Sequence, residues 1–127
     1  MPPADRVGLL ICSDLLFLSK VTGIAQSLGF QIEAAPLPQG LIKAAVGGYA
    51  CILLDLSLPM KVEDLTRNLR DQPPPPVIAF GAHVDTTRLA EARQAGCREV
   101  LPRSIFNMQL PEILTRYLGE PASPPPA

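Results

Sequence analysis

Residues 49–60 read YACILLDLSLPM, and the reading of this stretch decides the fold. Cys51, Ile52, Leu53 and Leu54 form a continuous apolar run, the pattern of a strand covered on both faces of a parallel sheet. The run stops at a carboxylate, Asp55, and Pro59 follows four residues later. An acid at the end of a buried strand either does chemistry at the sheet edge or is simply solvated there. The flanking sequence bears on which.

Working outward, "RVGLLIC" (6–12) and "VIAFG" (77–81) are two further buried strands. "FQIEAAP" (30–36) is more polar and reads as an edge strand, and "REVLP" (98–102) as a short fifth. Helical patterns lie between them. Ser13 and Asp14 offer N-cap chemistry for a helix carrying Phe17, Val21, Ile24, Ala25 and Leu28 on one face, with Gly29 placed to end it. A short helix over 39–46 stops at Gly47-Gly48, and Val62, Leu65 and Leu69 mark a third over 62–71. A fourth spans 85–96 with Asp85 as its cap, and a last one covers 109–118 with Pro111 in its first turn. Four consecutive prolines, Pro73–Pro76, read as a rigid connection, since neither a helix nor a central strand tolerates them.

Five alternations of strand and helix predict an α/β domain with a parallel sheet and helices on both faces. Right-handed crossovers leave the doubly wound, flavodoxin-like arrangement of five strands in the order 2-1-3-4-5. Its crevice lies at the carboxyl ends of strands 1 and 3, where Asp55 sits. Strand register then sets Cys12 level with Asp55, about 13 Å from the level of Cys51 and beyond disulfide reach.

The chain has 127 residues, 47% apolar and 18% charged, which fits one domain over residues 5–119. Residues 1–4 and the Pro-rich 120–127 read as tails, for which a ligand of a proline-reading domain is the alternative. A net charge of −1 and scattered basic residues point away from nucleic acid and membrane surfaces. Neither a signal peptide nor a membrane span is evident, so a cytoplasmic location is expected. Three cysteines without paired spacing read as buried small hydrophobes, and a single histidine, His83, leaves no zinc pattern. Cys12, His83 and Asp55 all fall near the crevice. A Cys–His nucleophile needs direct contact, and a solvated loop position for His83 is the simpler reading.

"SLGFQIEAA" (27–35), "CILLDLSLP" (51–59), "VIAFGAH" (77–83) and "LAEARQAGCREVLPRS" (89–104), in this order and spacing, resemble the receiver domain of bacterial response regulators. The resemblance spans about residues 5–118 and implies that Asp55 stands at the phosphoacceptor position. It also exposes departures. Where the family carries two adjacent acids for Mg²⁺, this chain has Cys12 and Ser13, with Asp14 one residue late. The family's Ser or Thr after strand 4 is Gly81, and its Lys-Pro after strand 5 is Arg103-Ser104. Sulfur and a neutral hydroxyl do not replace carboxylates for a hard cation. The expectation is therefore a pseudo-receiver: a non-enzymatic signalling module, without Mg²⁺ or another cofactor, whose Arg103 pairs with Asp55 through a guanidinium fork. An atypical phosphoacceptor using Asp55 and a small-ligand flavodoxin-like protein are the alternatives. "CSDLLF" (12–17) lacks the glycine that phosphate loops use, which disfavours the last. No output domain is evident, so readout is expected through a protein partner or a homodimer, on the face of helix 4, strand 5 and helix 5. Leu110, Ile113, Leu114, Arg116 and Tyr117 are its expected contributors, because together with Leu118 they span more than one helical face.

Overall fold

A computed structural model describes residues 6–119, and the two predicted tails lie outside them. The order is β1 (Val7–Ile11), α1 (Leu15–Ser27), β2 (Gln31–Ala35), α2 (Gln39–Val46), β3 (Cys51–Asp55), α3 (Val62–Thr66), β4 (Val77–Gly81), α4 (Thr86–Gln94), β5 (Glu99–Pro102) and α5 (Arg103–Leu118). All neighbouring strands are parallel, in the order β2-β1-β3-β4-β5. This is the expected flavodoxin-like sheet.

The three central strands are apolar, save for Asp55 at the end of β3, because each face has its own core. Leu9, Ile11, Ile52, Leu54 and Ala79 pack with Ala44, Val62, Leu65, Leu89 and Ala92 from α2, α3 and α4. Leu10, Leu53, Ile78 and Phe80 point the other way, onto Phe17, Val21 and Ala25 of α1 and Phe106, Leu110, Ile113, Leu114 and Leu118 of α5. Each fully buried large side chain stabilises the fold by about 1.5–3 kcal/mol. Among the described residues, no helix is long and apolar enough to cross a membrane.

Two helices depart from their predicted spans. α3 ends at Thr66 instead of continuing to 71. Asn68 explains it: its Nδ2 donates to the Asp64 carbonyl (2.7 Å), while its own backbone N–H falls back to Leu65 (3.2 Å). α5 starts at Arg103, not at 109, and runs straight through Pro111. An interior proline costs roughly 3 kcal/mol, but five buried side chains along the same helix outweigh it.

That longer helix also corrects the expected interaction face. Leu110, Ile113 and Leu114 are fully buried within the chain's own core. A helix of 16 residues lying flat on a sheet presents a face wide enough to bury them all, with Leu118 at its end. Only Arg116 and the half-buried Tyr117 remain towards solvent, and both are tied to Glu99 of β5.

Gly40 and Gly23 sit in helices with opposite surroundings. A Cβ on Gly40 would meet Ile11 Cγ2 at 2.6 Å and Cγ1 at 2.9 Å, whereas one on Gly23 would meet nothing within 4 Å. Helix propensity favours alanine at both positions. We therefore expect Gly23→Ala to stabilise by about 0.5–1 kcal/mol, and Gly40→Ala to destabilise by about 1–3 kcal/mol through overpacking. Urea unfolding of the two variants checks the opposite signs.

Candidate functional site

The crevice forms where β1 and β3 end. β1 pairs with β3 so that Ile11 faces Leu54, which sets Cys12 level with Asp55 as expected. Asp14 caps α1, its Oδ1 accepting from the backbone N–H groups of Leu16 (3.1 Å) and Phe17 (3.2 Å). Arg103 enters from the first position of α5, immediately beyond β5. Ser13, Asp14, Asp55, Ser57, Gly81, Ala82 and Arg103 line a cleft of about 350 Å³.

Asp55 is 2% exposed, the one buried polar or charged side chain among the described residues. Its carboxylate is held on both oxygens. Oδ1 accepts from the Ser57 backbone N–H (2.9 Å) and hydroxyl (2.7 Å). Oδ2 accepts from Arg103 Nη2 (3.2 Å) and from the Cys12 thiol (3.3 Å).

Arg103 does not clasp Asp55 with both arms. Its Nη1 turns to Asp14 Oδ2 (3.3 Å), so the fork spans two carboxylates. Its Cζ lies 4.5 Å from the centre of the Phe17 ring and 5.6 Å from that of Phe80. Phe17 meets Phe80 and Phe106 edge-on, and the last two stack at 4.3 Å. The guanidinium thus rests on an aromatic floor with acids above it, a placement suited to a planar, delocalised cation.

Burial raises the Cys12 thiol to about 11, and neighbouring Asp55 adds to the rise. Cys12 is therefore a neutral S–H near pH 7, a weak donor to Asp55 and no nucleophile. Capping bonds from Phe17 and Leu16, together with Arg103, lower the Asp14 carboxyl. His83 lies exposed in the turn after β4, away from the cleft lining. Gly81 does line it, but a Cβ there would meet Leu56 Cβ at 3.1 Å. Leu56 fills the room beside strand 4 that a side chain would need.

The residues present do not fit a magnesium ion. Cys12 is a neutral thiol and Ser13 a neutral hydroxyl. Both Oδ2 atoms are taken by Arg103, and the Oδ1 atoms by backbone N–H groups and Ser57.

Sequence reading missed Ser57, Phe17 and Arg88. Ser57 lies two residues after an aspartate, the spacing of a local side chain–backbone turn, and that signal was available. Phe17 was visible only as a core residue. Arg88 reaches from α4 to the carbonyls of Leu56 (3.1 Å) and Leu58 (3.2 Å), fixing the loop after Asp55. Nothing local in sequence signals a contact across thirty residues.

Two measurements check this geometry. In a double-mutant cycle of Asp55→Asn and Arg103→Gln, we expect a coupling of about 1–2 kcal/mol by denaturant unfolding, since one partner is buried and the other half-exposed. The cycle of Asp14→Asn and Arg103→Gln should give a smaller value. Thiols supply the pH dependence: Cys12 and Cys97 rise to about 11 and Cys51 to about 12, chiefly through burial. Raised folded values favour the neutral thiol, so their stabilisation is complete below the unfolded value of 9.0 and is lost as pH rises through 11–12. Melting temperatures from pH 8 to 11 should fall in wild type and fall less in Cys12→Ala.

No family model matches the chain, and no curated protein matches it in sequence. Solved structures do match. The receiver domain of sensor histidine kinase PA1611 from Pseudomonas aeruginosa PAO1, with a magnesium ion in its active-site cleft, is 23% identical. The match covers 91% of this chain and 98% of that one, at a TM-score of 0.74. A CheY-like receiver domain protein from Methanospirillum hungatei JF-1 is 21% identical over 89% and 93%, also at 0.74. The receiver domain of Ssk1 from Saccharomyces cerevisiae, crystallised with the histidine phosphotransfer protein Ypd1, is 17% identical over 92% and 90%, again at 0.74. The chain has the fold of the response regulator receiver domains.

Proposed function

We propose that this chain is a degenerate receiver: a non-enzymatic protein-interaction module of two-component signalling, whose Asp55 is not phosphorylated by the Mg²⁺-dependent route. One observation carries the reading. Both oxygens of Asp55 are engaged, and the cation beside them is the guanidinium of Arg103.

Phosphoryl transfer to a carboxylate needs a free attacking oxygen and positive charge around the transferred group. Here the attacking oxygen would have to leave either Ser57 or Arg103. Gly81 contributes no hydroxyl for the phosphoryl group, and Leu56 closes on it. These features support a crevice that works in one state.

A module of this kind acts through what it binds. The Ssk1 receiver domain binds a histidine phosphotransfer protein, and a protein partner is the reading we extend to this chain. A net charge of −1 supports neither nucleic acid nor membrane as that partner. Arg116 and Tyr117, with the β5 edge and α4, are the surface we assign to it, as a heteromeric contact or a homodimer. A cytoplasmic site of action is part of the proposal.

Heteronuclear NMR titration with Mg²⁺ and then beryllofluoride, a phosphoryl mimic, tests the proposal. We expect no shifts at millimolar Mg²⁺ and none on adding beryllofluoride. Saturable shifts centred on Asp55 and Gly81 would replace this reading with that of an atypical phosphoacceptor.

A further inference from the structure

Asp14 and Asp55 stand on different elements, yet their Oδ2 atoms converge on one cation. That cation belongs to the chain: Nη1 and Nη2 of Arg103 lie 3.3 Å and 3.2 Å from them. We propose that Arg103 is the resident cation of the crevice, holding the two carboxylate oxygens that a divalent ion would bind and keeping such an ion out. The inference rests on the degenerate-receiver reading and supplies its cause.

Two features support occupancy over a passing surface contact. First, the guanidinium is fixed from below by the Phe17 ring and at its edge by Phe80, so its position does not depend on the acids alone. Second, the other carboxylate oxygens are already committed: Asp14 Oδ1 to the α1 cap and Asp55 Oδ1 to Ser57. The Oδ2 atom of each carboxylate faces the guanidinium, and Arg103 takes both.

A metal ion in its place would find two carboxylate oxygens and otherwise water. The Cys12 sulfur is too soft and too buried a donor to add a third ligand for a hard ion. Affinity without the guanidinium should therefore be weak. Mn²⁺ is the suitable probe, since it accepts oxygen ligands and broadens nearby resonances.

The experiment compares wild type with Arg103→Gln, each verified as folded by its amide spectrum. Wild type should show no selective broadening with Mn²⁺. Arg103→Gln should show saturable broadening at Asp14, Asp55 and Ser57, and a melting temperature that rises roughly 5 °C at Mn²⁺ tenfold above its Kd. Adding Asp14→Asn to that variant should abolish both. If Arg103→Gln does not fold, Arg103→Lys carries the test: a single ammonium cannot span both Oδ2 atoms, and a smaller gain is expected. Selective broadening in wild type would overturn this inference and the degenerate-receiver reading together. A silent wild type with a silent, folded variant overturns this inference alone.

Discussion

The crevice depends on one constraint: Asp55 is a carboxylate removed from water at the end of an apolar strand. An unpaired charge there would cost several kcal/mol, so donors must be brought to it. The chain supplies them from three directions. Ser57 comes from the next turn, Cys12 from the adjacent strand, Arg103 from beyond the far edge of the sheet, and Asp14 balances the other arm of Arg103. Each donor is placed by an element with its own reason to form, so the network adds no strained segment to hold it.

Packing reinforces the same geometry from the opposite face. Leu56 continues the β3–β4 ladder by one bond, its N–H donating to the Phe80 carbonyl at 2.9 Å, and its side chain lies against Gly81. Arg88 then fastens the carbonyls of Leu56 and Leu58 to α4. The loop that begins at Asp55 is thereby held by hydrogen bonds at both ends. A receiver that switches needs a bistable element near its aspartate. Here a Cβ on Gly81 would stand 3.1 Å from that of Leu56, and interiors packed this densely do not deform gradually.

Most of the fold could be read in the sequence because its signals are local and repeated. Apolar runs of four or five residues mark β1, β3 and β4, and Asp14, Gly29 and Asp85 mark helix ends through their own side chains or backbone freedom. Where reading failed, a tertiary term overrode a local one. Pro111 suggested a helix start, yet Phe106 and Leu110 on its N-terminal side bury completely and pull the helix back to Arg103. The same burial removed Leu110, Ile113 and Leu114 from the expected surface. In the site, residue identities were legible, and so was the meeting of Asp55 with Arg103. The split of the guanidinium between two acids was not, because it depends on the Phe17 ring beneath it. Periodicity shows that Phe17 is buried but not what lies on its face.

The choice of arginine follows from this geometry. A lysine at 103 could neutralise one carboxylate as a point charge, and would leave the other facing it across the cleft. The planar fork serves both and gains the face of Phe17 as well. With one guanidinium against Asp14 and Asp55, the cleft carries a net charge of minus one. Converting Asp55 to an acyl phosphate would add another negative charge and break at least one of the four bonds that hold its oxygens. Gly81 offers no hydroxyl to share that charge. The interactions that make a buried aspartate tolerable are thus the ones that any modification of its oxygens has to displace. Four hydrogen bonds, two from Ser57 and one each from Arg103 and Cys12, hold the carboxylate where the apolar strand ends.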